Sequence, residues 1–258
     1  MMDKVVDSAG DAVADIGSGA SLAVGGFGVV GVPLALIRAI LAQGATDLEV
    51  FSNNCGTDGW GLGELLEAGR LRRIVASYVG ENRAFADRYL GGDLEVELTP
   101  QGTLAERLRA AGVGIPGFYT ATGRGTQVAD GGLPWRYAPD GSVAVASPAK
   151  ETRLFATPHG EKSFVFEHAL PADFGLVRAA VGDRHGNLRF DKSARNFNPL
   201  AAMSGRVTIA EVVELVEPGE LAPDDIHLPG VYVDRVVVLS EDEARELPIE
   251  RVTTRMRD

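Results

Sequence analysis

The residues with the clearest capacity for chemistry form a glycine-rich stretch, Val24-Gly25-Gly26-Phe27-Gly28-Val29-Val30-Gly31-Val32-Pro33. Glycine accepts positive φ and lets a guest approach bare backbone N–H groups, and a helix opening behind it adds donors and a partial positive charge. An anion, or a carbonyl oxygen turning into one, is the guest such a stretch suits. Pro33 fits the first helical position, where its missing N–H is an orphan anyway. Two segments of neutral amides occupy similar places: Ser52-Asn53-Asn54-Cys55-Gly56 follows the apolar run 48–51, and Pro100-Gln101-Gly102-Thr103 follows 94–98.

Such groups need elements to hold them. Residues 21–24 read as a strand, Leu36, Ile37, Ile40 and Leu41 recur at helical spacing, and Gly44 stops that helix. With 48–51 as the next strand, the first unit is a βαβ. Residues 63–68 and 83–90 read as helices and 73–78 and 94–98 as strands, while Thr103-Leu104-Ala105-Glu106 is a capping box opening a helix to Ala111. The alternation predicts an α/β fold, a mostly parallel open sheet with helices on both faces.

The second half is richer in β signals. Residues 131–170 read as strands and turns, 174–181 and 188–190 as two strands joined by a tight loop, and 207–216 and 231–239 as core strands. A short helix opens at Pro199. The glycine- and threonine-rich stretch 114–126 is expected to be a walled loop near a site. In open α/β sheets ligands bind beyond the carboxyl ends of strands, so the glycine turn, Asn53, Asn54 and Gln101 are expected to converge. A cage of N–H groups and neutral amides suits an oxyanion, and it contains no evident nucleophile or base.

Other readings compete. Gly26-Phe27-Gly28-Val29-Val30-Gly31 satisfies G-x-G-x-x-G, but the next strand runs into Ser52-Asn53-Asn54 where a dinucleotide site wants an acidic residue. The turn could also serve only to pack helix on sheet. Cys55, the one cysteine, has no histidine fixed beside it, excludes an intrachain disulfide and suits a reducing compartment. His159, His168, His185 and His227 lack metal-ligand spacing, so no metal is expected. A formal net charge of −11 over 258 residues argues against a sequence-independent grip on nucleic acid or an anionic membrane. No leader and no spanning apolar run is evident, so the expected location is cytoplasmic.

Taken together, the motifs resemble the α subunit of class I CoA-transferases of the succinyl-CoA:3-oxoacid type. The marks are Gly25-Gly26-Phe27-Gly28 through Pro33, Ser52-Asn53-Asn54-Cys55-Gly56, Ser77-Tyr78-Val79-Gly80-Glu81-Asn82, Pro100-Gln101-Gly102-Thr103-Leu104-Ala105-Glu106-Arg107, Ser193-Ala194-Arg195-Asn196-Phe197-Asn198-Pro199 and Ile226-His227-Leu228-Pro229-Gly230. The resemblance implies a CoA-transferase domain over residues 1–239, and 240–258 reads as a polar tail that leans on a partner or stays mobile. It implies transfer of CoA from succinyl-CoA to acetoacetate or a related 3-oxoacid. CoA thioesters would be substrates, and no cofactor would be held permanently.

The nucleophilic glutamate is expected in a partner β subunit, within a Ser-Glu-Asn-Gly type motif that this chain lacks, in a heterodimer or heterotetramer. Carried over residue by residue, Gly25, Gly26, Phe27, Gly28, Val29, Val30 and Gly31 form a CoA-contacting turn. Asn53, Asn54 and Gln101 would be the polar groups facing the thioester carbonyl. Glu81, beside Asn82, echoes the partner motif and is the alternative nucleophile. Arg195 either faces an anion or ties two loops. Rival functions are another carboxylate acceptor such as 3-oxoadipate, and a non-catalytic metabolite-binding module.

Overall fold

A computed structural model describes residues 3–80 and 82–246. Glu81, the alternative nucleophile, and the tail from residue 247 lie outside the described residues. The first half runs β1 (Val5–Val6), α1 (Ala9–Val13), β2 (Ser21–Val24), α2 (Leu34–Gln43), β3 (Leu48–Phe51), α3 (Leu62–Glu67), β4 (Leu71–Ala76), α4 (Arg83–Gly91), β5 (Glu95–Leu98) and α5 (Gln101–Gly112). The second half opens with β6 (Gly117–Thr120), α6 (Gln127–Asp130), β7 (Pro134–Tyr137), β8 (Val143–Ala146), β9 (Thr152–Thr157) and β10 (Gly160–His168). It closes with β11 (Ala172–Asp183), β12 (Leu188–Arg189), α7 (Asn198–Ser204), β13 (Gly205–Val216), β14 (Arg235–Val238) and α8 (Glu241–Arg245).

The main sheet has the order β1-β14-β13-β11-β2-β3-β4-β5, every pair along it parallel, with β12 antiparallel on β11. From β2 the chain steps outward through β3, β4 and β5, and from β11 it steps the other way through β13 and β14. The winding therefore reverses between β2 and β11, where an open α/β sheet leaves a crevice at its carboxyl edge.

Period-two alternation splits the strand side chains between two cores. Leu22, Val24, Val50 and Ile74 pack with α1 to α4, whereas Ala23, Phe51 and Val75 pack with Leu104 and Leu108 of α5 and Ala201 and Ala202 of α7. This is the expected α/β architecture, with helices on both faces. The β-rich addition is a three-stranded antiparallel sheet, β6-β10-β9, and a hairpin, β7-β8. Trp135 of β7 covers Arg73 of β4 with the guanidinium 5.1 Å from its ring, and Tyr89 Oη donates to the Pro134 carbonyl at 2.6 Å.

Several local expectations need correction. Pro33 is the residue before the first turn of α2 (φ −77°, ψ 74°), because the chain is still leaving the glycine turn there. α5 starts two residues ahead of the capping box, with Pro100 at its cap and no side-chain cap bond. Thr103 is buried in its first turn and Glu106 pairs with Arg109 instead. Residues 117–120, expected in a walled loop, are a strand of the added sheet. Of 231–239 only Arg235–Val238 is strand, since residues 230–232 coil into a 3₁₀ turn after Pro229. Past Leu239 the chain makes α8, opened by a capping box of Ser240 and Glu243, and Glu246 pairs with Arg38 of α2.

Candidate active site

β2 delivers the glycine stretch to the carboxyl edge of the sheet beside β11, where Gly25 N–H donates to the Leu176 carbonyl at 2.9 Å. The chain then folds back on itself: Phe27 and Val30 exchange two backbone hydrogen bonds of 3.0 Å around the corner Gly28-Val29. Gly26, Gly28 and Gly31 have φ of 113°, 62° and 70°, a region that costs a residue with a Cβ about 1–2 kcal/mol. Gly25 is needed for a different reason. A Cβ there would sit 2.0 Å from Asn198 Oδ1.

Three amide side chains, two from the segment after β3 and one from α5, form a continuous row against this turn. Gln101 Nε2 donates to Asn53 Oδ1 at 2.7 Å, and Asn53 Nδ2 donates to Asn54 Oδ1 at 3.2 Å. Asn54 Oδ1 also accepts the Gly28 N–H at 2.9 Å, and Asn54 Nδ2 donates to the carbonyls of Gly28 and Gly56 at 3.2 and 3.4 Å. Asn53, Asn54 and Gln101 are thus brought together with the turn. They are not equivalent, however. Both hydrogens of Asn54 are spent inside the protein, whereas Gln101, exposed at the first residue of α5, has one N–H and its carbonyl without a partner among the described residues. The Gly26 and Val29 N–H groups have no partner among the described residues.

The floor is open above. The gap between Gly25, Gly26, Gly28, Val32, Ser52, Asn54, Gly56 and Leu62 holds about 10 Å³, room for about one water. Phe27 in the turn and Tyr78, two residues past β4, are large apolar side chains 47% and 61% exposed. A thioester resting here needs a second wall.

Among the described residues, neither Cys55 nor Arg195 is placed to attack a carbonyl here. Cys55 is fully buried, and burial pushes its thiol up to about 12, so it is no nucleophile. Arg195 is exposed, with no ion pair among the described residues, and follows Ala194, whose carbonyl would meet a Cβ on Gly31 at 2.8 Å.

The helix N-terminus behind the turn is not vacant either. Glu211 of β13, wholly buried, accepts the Leu36 N–H at 3.1 Å and pairs with Arg178 at 3.0 Å. Burial raises its carboxyl to about 7 against the opposing pull of Arg178. The acceptor at the start of α2 is therefore the protein's own carboxyl, supplied from 175 residues away.

Two features have no counterpart in the sequence-based expectations. After β3 a second turn is closed as the first is, Thr57 and Trp60 exchanging backbone hydrogen bonds of 3.3 and 3.1 Å; Gly56, Gly59 and Gly61 have φ of 65°, 66° and 63°, so the positive corner φ falls on the second corner residue where the first turn has it on Gly28. The signal was present, since Gly56 and Gly61 bracket their corner as Gly26 and Gly31 bracket theirs. Asn82 Nδ2 fastens that turn at the Cys55 carbonyl, 2.8 Å away, while Asn82 Oδ1 caps α4. The second feature is Ser77 at the end of β4: its N–H donates to the Asn53 carbonyl at 3.0 Å, and its buried hydroxyl has no partner among the described residues.

The description "Coenzyme A transferase" belongs to the family model that matches residues 6–239. A Mycobacterium tuberculosis (strain H37Rv) protein, named as the A subunit of a probable succinyl-CoA:3-ketoacid coenzyme A transferase, is 61% identical over 98% of this chain and 100% of its own length. The human "Succinyl-CoA:3-ketoacid coenzyme A transferase 2, mitochondrial" is 51% identical over 93% of this chain, which spans 45% of it. Among solved structures, an acyl-CoA transferase apoenzyme from Escherichia coli O157:H7 superposes with a TM-score of 0.76 at 24% identity, covering 93% of this chain and 48% of its own. The chain thus spans about half of each of the last two.

Proposed function

The chain belongs to the coenzyme A transferase family, and from that premise we propose that it supplies the oxyanion-binding wall of a succinyl-CoA:3-oxoacid CoA transferase, its partner supplying the nucleophilic carboxylate. The observation that carries this reading is the row Gln101-Asn53-Asn54 against the glycine turn, with donors left open and no competent nucleophile among the described residues. Relatives that are named as one subunit of an enzyme, and a human relative twice as long, support a second chain of comparable size.

In this reading the partner's carboxylate attacks the thioester carbon of succinyl-CoA. The carbonyl oxygen takes up charge facing the N–H groups of Gly26 and Val29 and the open N–H of Gln101. Such a donor is worth about 3 kcal/mol in the transition state. The C–S bond breaks, CoA leaves as thiolate, and an acyl-carboxyl anhydride remains. The thiolate then attacks the anhydride at the enzyme's carbonyl, releasing succinate and leaving CoA on the partner. The acceptor carboxylate repeats the two steps in reverse order and departs as its CoA thioester, acetoacetate being the acceptor proposed. Asn54 stiffens the turn, Asn53 orients Gln101, and Phe27 and Tyr78 exclude water once the partner closes over them.

A cytoplasmic location is part of the reading, supported by a single, buried cysteine. Co-expression with a neighbouring reading frame carrying Ser-Glu-Asn-Gly, followed by an assay with succinyl-CoA and acetoacetate, tests it. The purified pair is expected to form acetoacetyl-CoA and the chain alone to form none. Turnover by the chain alone would overturn the division of labour.

A further inference from the structure

Gln101 carries one of the donors used in the proposed reaction, and its place depends on how α5 leaves β5. Only Thr99 and Pro100 separate the two elements, and α5 opens without a side-chain cap bond. The hold comes from further along the helix. Arg107, buried, donates through Nη1 to Glu97 Oε1 of β5 at 2.5 Å and to Thr99 Oγ1 at 3.3 Å, and through Nε to the His168 carbonyl at the end of β10 at 2.8 Å. Thr99 Oγ1 in turn donates to Glu97 Oε1 at 3.3 Å.

One guanidinium therefore joins the strand before the turn, the turn itself and the added sheet. The clamp is also fastened to the next strand of the main sheet: the second Glu97 oxygen pairs with Arg73 of β4, and the Thr99 N–H donates to the Ala76 carbonyl at 2.9 Å. A helix moves as a unit, so a hold on its body also sets where its first residue lies, about 9 Å away along the axis. Small errors matter there, since a displacement of about 1 Å can cost about 100-fold in rate.

We propose that Arg107, acting with Glu97 and Thr99, is a positioning residue for the CoA transfer: it closes the turn between β5 and α5 and so places Gln101 against the thioester oxygen. Asn53 orients the amide; the clamp locates the residue that bears it. The inference rests on the reading under Proposed function, in which Gln101 is a donor to that oxygen.

The test uses Thr99→Val, which removes the hydroxyl and leaves the ion pair, and Arg107→Lys, which keeps a charge for Glu97 but loses the fork that reaches Thr99 and His168 as well. Each is made alone and together with Gln101→Ala, assembled with the partner, and kcat and KM for succinyl-CoA are measured. Alone, Arg107→Lys should lower kcat about tenfold or more and Thr99→Val about threefold, with KM nearly unchanged. In the Gln101→Ala background neither should lower kcat by more than about twofold further, because both act through that amide. A merely structural role would lower kcat by the same factor in both backgrounds.

Full kcat in both single variants, or equal losses with and without Gln101, would overturn the inference and leave the proposed function standing. Should Arg107→Lys fail to assemble, Thr99→Val alone decides. Full kcat in Gln101→Ala would remove that donor from the site and this inference with it, and a parent pair that transfers no CoA would remove the proposed function as well.

Discussion

The turns after β2 and β3 share their closing hydrogen bonds and have opposite fates. Each is a two-residue corner closed by reciprocal hydrogen bonds and bracketed by glycines of positive φ. At the second, the corner N–H of Gly59 donates to Glu67 at 2.6 Å, so a carboxylate from the same chain already occupies it. At the first, the equivalent N–H of Val29 has no partner among the described residues, and neutral amides hold the carbonyls behind it. The two turns thus differ in what their surroundings leave unpaired and in which corner residue, Gly28 or Gly59, takes the positive φ. The start of α2 makes the same point, since Glu211 fills it from within.

The contrast should break most visibly on adding a methyl group. Gly25→Ala drives a Cβ into Asn198 and is expected to cost about 3 kcal/mol of stability and all measurable turnover. Gly59→Ala meets nothing within 4 Å and should cost only about 1 kcal/mol, from its φ of 66°, with turnover intact. Denaturant melts and a CoA-transfer assay on both would settle it, and equal losses would dissolve the distinction.

Next in size, Gln101→Ala should lower kcat about 100-fold while KM moves little, because the donor acts on charge that develops only in the transition state. Glu67→Gln at the second turn should leave kcat within about twofold of the parent. If Glu67 mattered as much as Gln101, both turns would belong to the site.

A smaller effect is expected at Glu211. Its folded pKa, raised to about 7 chiefly by burial, lies above the unfolded value near 4.5. Between those values the folded state holds the extra proton, so the stability it contributes is full below about 4.5 and is lost as pH rises through about 7. Glu211→Gln should flatten that stretch of the stability-pH curve; an unchanged slope would mean the carboxyl titrates normally. The least effect is expected from Arg195→Ala, a rise of about threefold in KM at low salt that fades as salt screens the charge.

Much of the fold was legible because it is local. The apolar alternation of β2 to β5 and the glycine stop at Gly44 each act within a few residues. Gln101, Asn53 and the turn were legible as a group because all three follow strands of one parallel sheet. What could not be read were the long-range partners: Glu211 at the start of α2, and Asn196 and Asn198 behind the turn. No periodicity links residues 30 and 196. The spent state of Asn54 was equally hidden, since an amide's availability depends on which neighbours have already taken its hydrogens.

Incubating the assembled pair with succinyl-CoA alone and weighing the denatured chains tests the central claim most directly. The account predicts CoA covalently attached to the partner chain and this chain at its unmodified mass. CoA attached to this chain, at Glu81 or elsewhere, would contradict it.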